Sequence, residues 1–110
     1  MSEIDKYKAC IEACLKCMTA SNHCATACLQ EEHVDKMRWC IVNDLDCADI
    51  CSATAAALAR GSKHIGHLTR VCAEVCEACA AECAHHDHQH CKDCAAACKA
   101  CAEECRKLAA

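Results

Sequence analysis

The stretch CAEVCEACAAEC, from Cys72 to Cys83, places four cysteines at steps of four, three and four. Steps of three and four return side chains to one face of an α-helix. In most helical proteins such a face carries leucine and isoleucine, but here it carries sulfur. The pattern recurs along the chain, which has 17 cysteines among 110 residues. The stretch therefore predicts a helix with a row of thiols on one face.

The length of the chain favours a single domain over residues 1–110. The net charge of −4 does not indicate a surface for nucleic acid. A membrane span needs roughly 20 consecutive apolar residues, and no such run is found. The opening MSEIDKYKAC lacks the basic and then apolar form of a signal peptide. We therefore expect a cytoplasmic protein with neither a nucleic-acid nor a membrane partner.

The cysteine density alone would suit a secreted disulfide scaffold. Three features oppose that interpretation: the cysteine count is odd, proline is absent and glycine occurs only twice, and the spacing of the cysteines is helical. A reduced set of thiols that binds metal is the better interpretation.

Four helical segments of good helix formers are predicted, at about residues 4–29, 34–60, 63–84 and 88–108. Ser2 with Asp5 and then Ser62 and Asp87 are the expected N-terminal caps, and Gly61 is a C-terminal stop signal. Because the connections are short, neighbouring helices should be antiparallel. The expected fold is all-α, an up-down-up-down four-helix bundle with a cysteine-lined core.

Each predicted helix carries one sulfur row, which we expect to face the axis of the bundle. Ser21 fills a gap in the first row, and Met37 and Asp44 lie on the second. The four rows are Cys10, Cys14, Cys17, Cys24 and Cys28; Cys40, Cys47 and Cys51; Cys72, Cys76, Cys79 and Cys83; and Cys91, Cys94, Cys98, Cys101 and Cys105.

Larger aliphatic residues lie one position beside the sulfur rows, and we expect them to seal helix against helix. They are Ile11, Leu15, Met18, Ile41, Leu45, Val71 and Val75. A buried cysteine can serve as a small apolar side chain and nothing more. Leucine or isoleucine would stabilise each such position by roughly 1 kcal/mol or more. Since four helices forgo that gain at nearly every axial position, packing alone does not explain the pattern.

Seven cysteine pairs are four residues apart, which brings their Cβ atoms to about 5–6 Å on a helix. Soft thiolates select Cu(I), Zn(II) and iron–sulfur clusters. Metal-bound cysteines are negatively charged thiolates, and unpaired buried charge is costly. One Cu(I) per thiolate cancels that charge, whereas zinc at four thiolates per divalent ion leaves an excess. The rows therefore favour many Cu(I) ions per chain over zinc.

Two other cysteine chemistries fit less well. The runs at Cys76–Cys83 and Cys91–Cys98 resemble part of a ferredoxin motif, but each lacks the further cysteine and the proline. The CxxC pairs would suit thioredoxin-like redox chemistry only within a βαβ unit, and no strand pattern is visible.

Histidines gather where the first and third connections of an antiparallel bundle meet. His33 and Met37 come from one connection, and the element AHHDHQHC comes from the other. Imidazole and thioether both suit copper. We interpret this end as the mouth, where ions are caught, and expect Asp44 to join a site near it. His64 and His67 fall at the opposite end, where a surface role is expected. Tyr7 and Trp39 are interpreted as packing or subunit-contact residues.

The sulfur rows, the CxxxC pairs and the element His88-Gln89-His90-Cys91 resemble the cytosolic copper storage proteins over essentially the whole chain. The resemblance implies a homotetramer of four-helix bundles that holds many Cu(I) ions, with the cysteines, His88 and His90 as ligands and no catalytic activity. A copper chaperone is then the expected class of partner. The alternatives from the residues are a Zn(II) or Cd(II) thiolate store and a protein that cycles dithiols and disulfides.

Overall fold

Across the described residues, 3–110, the computed structural model contains five α-helices, one 3₁₀-helix and no strand. The α-helices are α1 (Glu3–Lys6), α2 (Lys8–Leu29), α3 (Arg38–Arg60), α4 (Ile65–Cys83) and α5 (Gln89–Leu108), and the 3₁₀-helix Val34–Met37 leads into α3. In this part of the chain, no helix has the length and apolar character needed to cross a bilayer.

The four long helices form a closed ring around one axis. Helix α2 packs against α3 and α5, and α4 packs against the same two helices. Short connections make successive helices antiparallel, and the resulting rod measures 49 × 20 × 17 Å. The predicted all-α four-helix bundle is confirmed.

The end of α3 follows the sequence prediction. Gly61 adopts the left-handed conformation, with φ of 65° and ψ of 43°. The Gly61 N–H donates to the carbonyl of Leu58, and the Ser62 N–H donates to that of Ala57. This pair of bonds is a Schellman motif, which satisfies the last carbonyls of the helix and turns the chain toward α4.

Other helix ends differ from the prediction. The first segment is interrupted at Tyr7, and residues 34–37 form a 3₁₀-helix instead of the first turn of α3. The start of α4 is Ile65, since Ser62 Oγ accepts the His64 N–H at 3.1 Å and holds a turn before the helix. Extended backbone at His88 puts that residue, not Asp87, immediately before α5. The capping pair expected at the N-terminus includes Ser2, which lies outside the described residues.

The aliphatic residues beside the sulfur rows divide into two groups. Five are partly buried, namely Ile11, Met18, Ile41, Val71 and Val75. Of these, Ile11, Met18, Ile41 and Val75 pack against the core, as does Tyr7. Leu15 and Leu45 are instead 44% and 48% exposed, so the prediction that they seal the helices was wrong. A step of one residue turns a helix by about 100°. A step of four residues adds about 40°, so Leu15 and Leu45 lie further round their helices than Ile11 and Ile41 and face solvent.

A candidate metal centre along the bundle axis

All 17 cysteines are buried free thiols in the interior of the bundle. Their Sγ atoms approach one another closely, from 3.4 Å between Cys17 and Cys47 to 4.0 Å between Cys47 and Cys51. A disulfide needs about 2.05 Å, so these sulfurs are in contact without being bonded. The prediction that each sulfur row faces the axis is confirmed.

The thiols are arranged in layers, because each helix contributes one side chain at each level. Between α2 and α5, the Sγ atoms in contact belong to Cys10 and Cys105, Cys14 and Cys101, and Cys17 and Cys98. Between α3 and α4, they belong to Cys40 and Cys83, Cys47 and Cys76, and Cys51 and Cys72. At the histidine end Cys28 lies outermost, in contact with Cys24 and Cys40. From there inward the layers are Cys24, Cys40, Cys83 and Cys91; Ser21, Asp44, Cys79 and Cys94; Cys17, Cys47, Cys76 and Cys98; Cys14, Cys51, Cys72 and Cys101; and Cys10 with Cys105.

Donor atoms from adjacent layers also come together in groups of four. Within each group, all four donor atoms lie within 4.8 Å of one another. Cys24, Cys40 and Cys83 each belong to more than one such group, so neighbouring groups share donors. Examples are Cys14, Cys72, Cys101 and Cys105; Cys17, Cys51, Cys76 and Cys101; and Cys24, Cys28, Cys40 and Cys91. The axis is thus one continuous set of donors, not a row of isolated sites.

Burial favours the neutral form of the thiols. For Cys28 and Cys91, burial is the largest influence and raises the pKa above the ordinary value for a thiol. Among the described residues, the buried polar or charged side chains are Ser21, Asp44, Thr54 and Thr69, with no lysine or arginine. Without a bound cation, therefore, no positive charge in the interior balances a set of thiolates.

Asp44 is the one carboxylate inside the described bundle. Its Oδ1 lies 3.3 Å from the Sγ of Cys79, 3.4 Å from that of Cys83 and 3.3 Å from that of Cys94. Burial, followed by the neighbouring Cys94, raises the Asp44 pKa to about 8. The carboxylate is one level inward of the ring formed by Cys24, Cys40, Cys83 and Cys91, and at the same level the neighbouring helix α2 supplies Ser21 instead of a cysteine. The predicted place of Asp44, near the histidine end, is consistent with this geometry.

Two threonines continue the sulfur rows at the opposite end. Thr54 follows Cys51 and Thr69 precedes Cys72, each by three residues, so the register puts both level with Cys10 and Cys105. Both threonines are fully buried. The Thr69 hydroxyl donates to the carbonyl of Ile65, but the Thr54 hydroxyl has no partner. Beyond them Tyr7, Leu58, Ile65 and Leu108 pack on the core and close this end. The step of three could have revealed both threonines in the sequence.

His90 joins the thiols at the histidine end of the bundle, which is the predicted mouth and is called the open end below. Its Nδ1 lies 3.4 Å from the Sγ of Cys24, 3.5 Å from that of Cys91 and 3.9 Å from that of Cys28. On the other side of the ring, Nε2 is 3.3 Å from a carboxylate oxygen of Glu31. His88 stacks on His90 with ring centroids 5.3 Å apart and the planes nearly parallel. The sequence did not point to Glu31, because it lies on no thiol row.

The other residues of the open end lie further out. Met37 is buried and, with Glu31, His33, His86 and His88, lines a surface cavity beside the mouth. Nε2 of His86 lies 3.0 Å from a carboxylate oxygen of Glu82. The remaining histidines, His23, His33, His64, His67 and His85, are exposed.

Comparison with known proteins places this chain in one family. The family model described as copper storage protein matches residues 3–110. A cysteine-rich protein of Bacillus subtilis is 48% identical over 94% of this chain and 95% of its own length.

Two solved structures are similar in fold as well as in sequence. A Cu(I)-bound copper storage protein from B. subtilis is 48% identical over 94% of this chain and 97% of that chain, with a TM-score of 0.90. A cytosolic copper storage protein from Streptomyces lividans, with five coppers, is 43% identical over 96% of this chain and 93% of that chain, with a TM-score of 0.92.

Proposed function

Because this chain belongs to the copper storage protein family, we propose that it stores and sequesters multiple Cu(I) ions and so buffers cytosolic copper. One observation carries the proposal: the interior is a continuous set of 17 thiols with no buried lysine or arginine in the described chain. Thiolates formed there need cations, and singly charged ions that share ligands cancel the charge. A storage role requires no catalytic step.

The proposed ligands are those that the sequence suggested. The cysteines are proposed to bind along the axis; in support, His90 has Nδ1 against three of them, and Asp44 is in contact with three others. Met37 and His88 lie outside the thiol rings and are proposed to act in transfer. The thiol ligands are Cys10, Cys14, Cys17, Cys24, Cys28, Cys40, Cys47, Cys51, Cys72, Cys76, Cys79, Cys83, Cys91, Cys94, Cys98, Cys101 and Cys105.

The distance between sulfurs also limits the coordination geometry of a bound ion. Cysteines four residues apart have Sγ atoms 3.9 Å apart at both Cys72–Cys76 and Cys79–Cys83. With metal–sulfur bonds of about 2.3 Å, a linear S–metal–S unit needs about 4.6 Å, and 3.9 Å corresponds to an angle of about 116°. The sulfurs must therefore separate slightly on binding, or the ion takes a third ligand from a neighbouring layer.

A Zn(II) or Cd(II) store is the alternative that the geometry favours most. Four sulfurs within 4.8 Å of one another suit a tetrahedral divalent ion. However, groups that share donors cannot each hold a separate divalent ion with four ligands of its own. Charge and the shared donors both favour Cu(I).

For the assembly, we propose a homotetramer. An apolar row on the outer side of α3 supports it: Trp39 is 64% exposed, and Val42 and Leu45 are exposed beside it. Large exposed apolar side chains in one row are typical of subunit contacts. The likeness to a protein described as cytosolic supports a location in the cytosol, where a copper chaperone is the proposed class of delivery partner. Residues 3–110, the span of the family match, form the proposed storage unit.

An anaerobic titration of the reduced protein tests the proposed function. Cu(I) should bind at roughly one ion per thiol and stay bound against a chromophoric Cu(I) chelator. About four tightly held Zn(II) ions with weak copper binding would support the divalent store instead. Reversible disulfides at cytosolic potentials, without metal, would support a redox role. Either result would overturn copper storage.

A further inference from the structure

One carboxylate oxygen lies against both imidazoles of the open end. Oε2 of Glu31 is 2.8 Å from Nδ1 of His88 and 3.3 Å from Nε2 of His90. Glu31 lies two residues after the end of α2, whereas His88 immediately precedes α5 and His90 lies in its first turn. The side chains of Glu31 and His90 are 25% and 16% exposed, and that of His88 is 45% exposed. The stacked pair therefore runs from solvent toward the thiols, with the carboxylate along one side.

The two contacts decide where the protons of the neutral rings reside. A carboxylate only accepts, and a bare ring nitrogen at these distances would oppose its lone pair to those of the oxygen. His90 must carry its proton on Nε2, which leaves Nδ1 bare and directed at Cys24, Cys28 and Cys91. By the same reasoning, His88 carries its proton on Nδ1, which leaves Nε2 bare in a half-exposed side chain.

We propose that Glu31 is a positioning residue for copper uptake, whose carboxylate oxygen holds His88 and His90 in opposite tautomers. One ring then presents a bare nitrogen on the outer side of the mouth, and the other presents a bare nitrogen to the first thiols. The inference rests on the proposed function, because it concerns the route by which Cu(I) reaches the storage site.

The chemistry of imidazole makes this arrangement consequential. A ring nitrogen binds a metal ion only when it carries no proton. A carboxylate that accepts from the other nitrogen fixes the tautomer and the ring orientation, and removal of such a partner typically costs 10–100-fold in affinity or activity. Without Glu31, each ring can rotate or exchange tautomer, so fewer molecules have both bare nitrogens in place. The uptake rate should fall, but the number of thiols is unchanged.

Three variants of the full chain test the proposal: Glu31→Ala, Glu31→Gln and, as the matched control, Glu32→Ala. Glu32 is exposed, adjacent in sequence and part of the same surface cavity. Rates are measured by stopped-flow transfer of Cu(I) from a weak chelator to the apo protein, and total capacity by titration. Tautomers of His88 and His90 are read from long-range ¹H–¹⁵N NMR spectra of the apo protein.

The expected result is an uptake rate about tenfold lower for Glu31→Ala with unchanged capacity. In wild type, His88 should be the Nδ1–H tautomer; in Glu31→Ala it should change largely to Nε2–H. Glu31→Gln keeps an acceptor oxygen and should restore the rate to within about twofold of wild type. Glu32→Ala should match wild type in rate and tautomers.

Three results would each overturn the proposal: an unchanged rate in Glu31→Ala, an unchanged His88 tautomer in that variant, or equal slowing in Glu31→Gln. The last would show that the negative charge, and not the acceptor geometry, attracts the ion. Failure of the proposed function is distinguishable, because wild type itself would then bind little Cu(I). The capacity of Glu31→Ala also reports whether that variant folds.

Discussion

Oδ1 of Asp44 lies 3.3 Å from the Sγ of Cys94, in the one layer of the described bundle where α2 places a hydroxyl among the thiols. The Ser21 Oγ is 3.6 Å from the same sulfur. A carboxylate and a hydroxyl thus interrupt the sulfur column between the outer ring and the inner layers. This polar layer gives the apo protein a pH dependence and gives the storage site a position where its capacity can be changed.

Stability of the apo protein should fall as the pH rises from about 4 to about 8. The Asp44 pKa is raised to about 8 in the fold, against about 3.9 for an unfolded chain. Between these values the unfolded state has lost the proton that the folded state retains, so the unfolding free energy decreases by up to about 1.4 kcal/mol per pH unit. Urea unfolding of the reduced apo protein at pH 5, 6 and 7 measures the slope.

Asp44→Asn, which cannot ionise, should remove most of this slope. Asp46→Asn is the control, because Asp46 is exposed on the same helix, and it should retain the slope. Equal slopes in wild type and Asp44→Asn would show that another group is responsible.

Ser21→Cys should increase copper capacity. The Ser21 Oγ lies 3.6 Å from the Sγ of Cys94 and 3.8 Å from that of Cys98, so a thiol there would join two existing layers. We expect roughly one additional Cu(I) per chain that resists the chelator, measured by anaerobic titration. Ser52→Cys adds a thiol at an exposed position of α3 and should add none. Equal gains in the two variants would mean that the core does not determine capacity.

Thr54→Val should stabilise the apo protein. The Thr54 hydroxyl is buried without a partner, and an unsatisfied buried polar group costs about 1–3 kcal/mol. Valine has nearly the same shape, so we expect an increase of about 1 kcal/mol in unfolding free energy and about 4 °C in Tm. Thr69→Val is the matched control, since its hydroxyl donates to Ile65 at 2.7 Å. An equal gain in both would contradict the assignment.

His90→Ala should slow copper uptake and leave most of the capacity intact. Its Nδ1 lies 3.4 Å from the Sγ of Cys24 at the open end, but the thiols deeper along the axis do not depend on it. We expect a rate reduction of roughly tenfold or more, measured by transfer from a weak chelator. His23→Ala, at an exposed position on α2, serves as the comparison and should behave as wild type. A large fall in capacity would refute the mouth assignment.

Trp39→Glu should weaken the proposed tetramer. Trp39 is 64% exposed on α3, and a charge within an apolar contact is costly to desolvate. Light scattering coupled to size exclusion should show smaller species with unchanged copper capacity per chain. Lys99→Glu changes an exposed residue of α5, which lies across the ring from α3, and should leave the assembly intact. A tetramer that survives Trp39→Glu would place the interface elsewhere.

The sequence predicted the burial of residues beside the sulfur rows less well than that of the rows themselves. Leu15 and Leu45 lie four residues after Ile11 and Ile41, which is about 40° further round the helix, and they are exposed whereas the isoleucines are partly buried. Helical periodicity specifies an angle around one helix axis, but the position of the neighbouring helix decides whether that angle is buried. The polar partner Glu31 was missed for a related reason, since a contact between distant connections leaves no periodic pattern.

The spacing of the cysteines was enough to predict that four helices carry sulfur on one face and that those rows turn inward. Both follow from the 3.6-residue repeat and from the cost of exposing one apolar face on every helix. The packing of the helices alone established which thiols share a layer and that Asp44 meets Cys79, Cys83 and Cys94. These depend on the longitudinal register between helices, which packing and the connections set and which local periodicity leaves free.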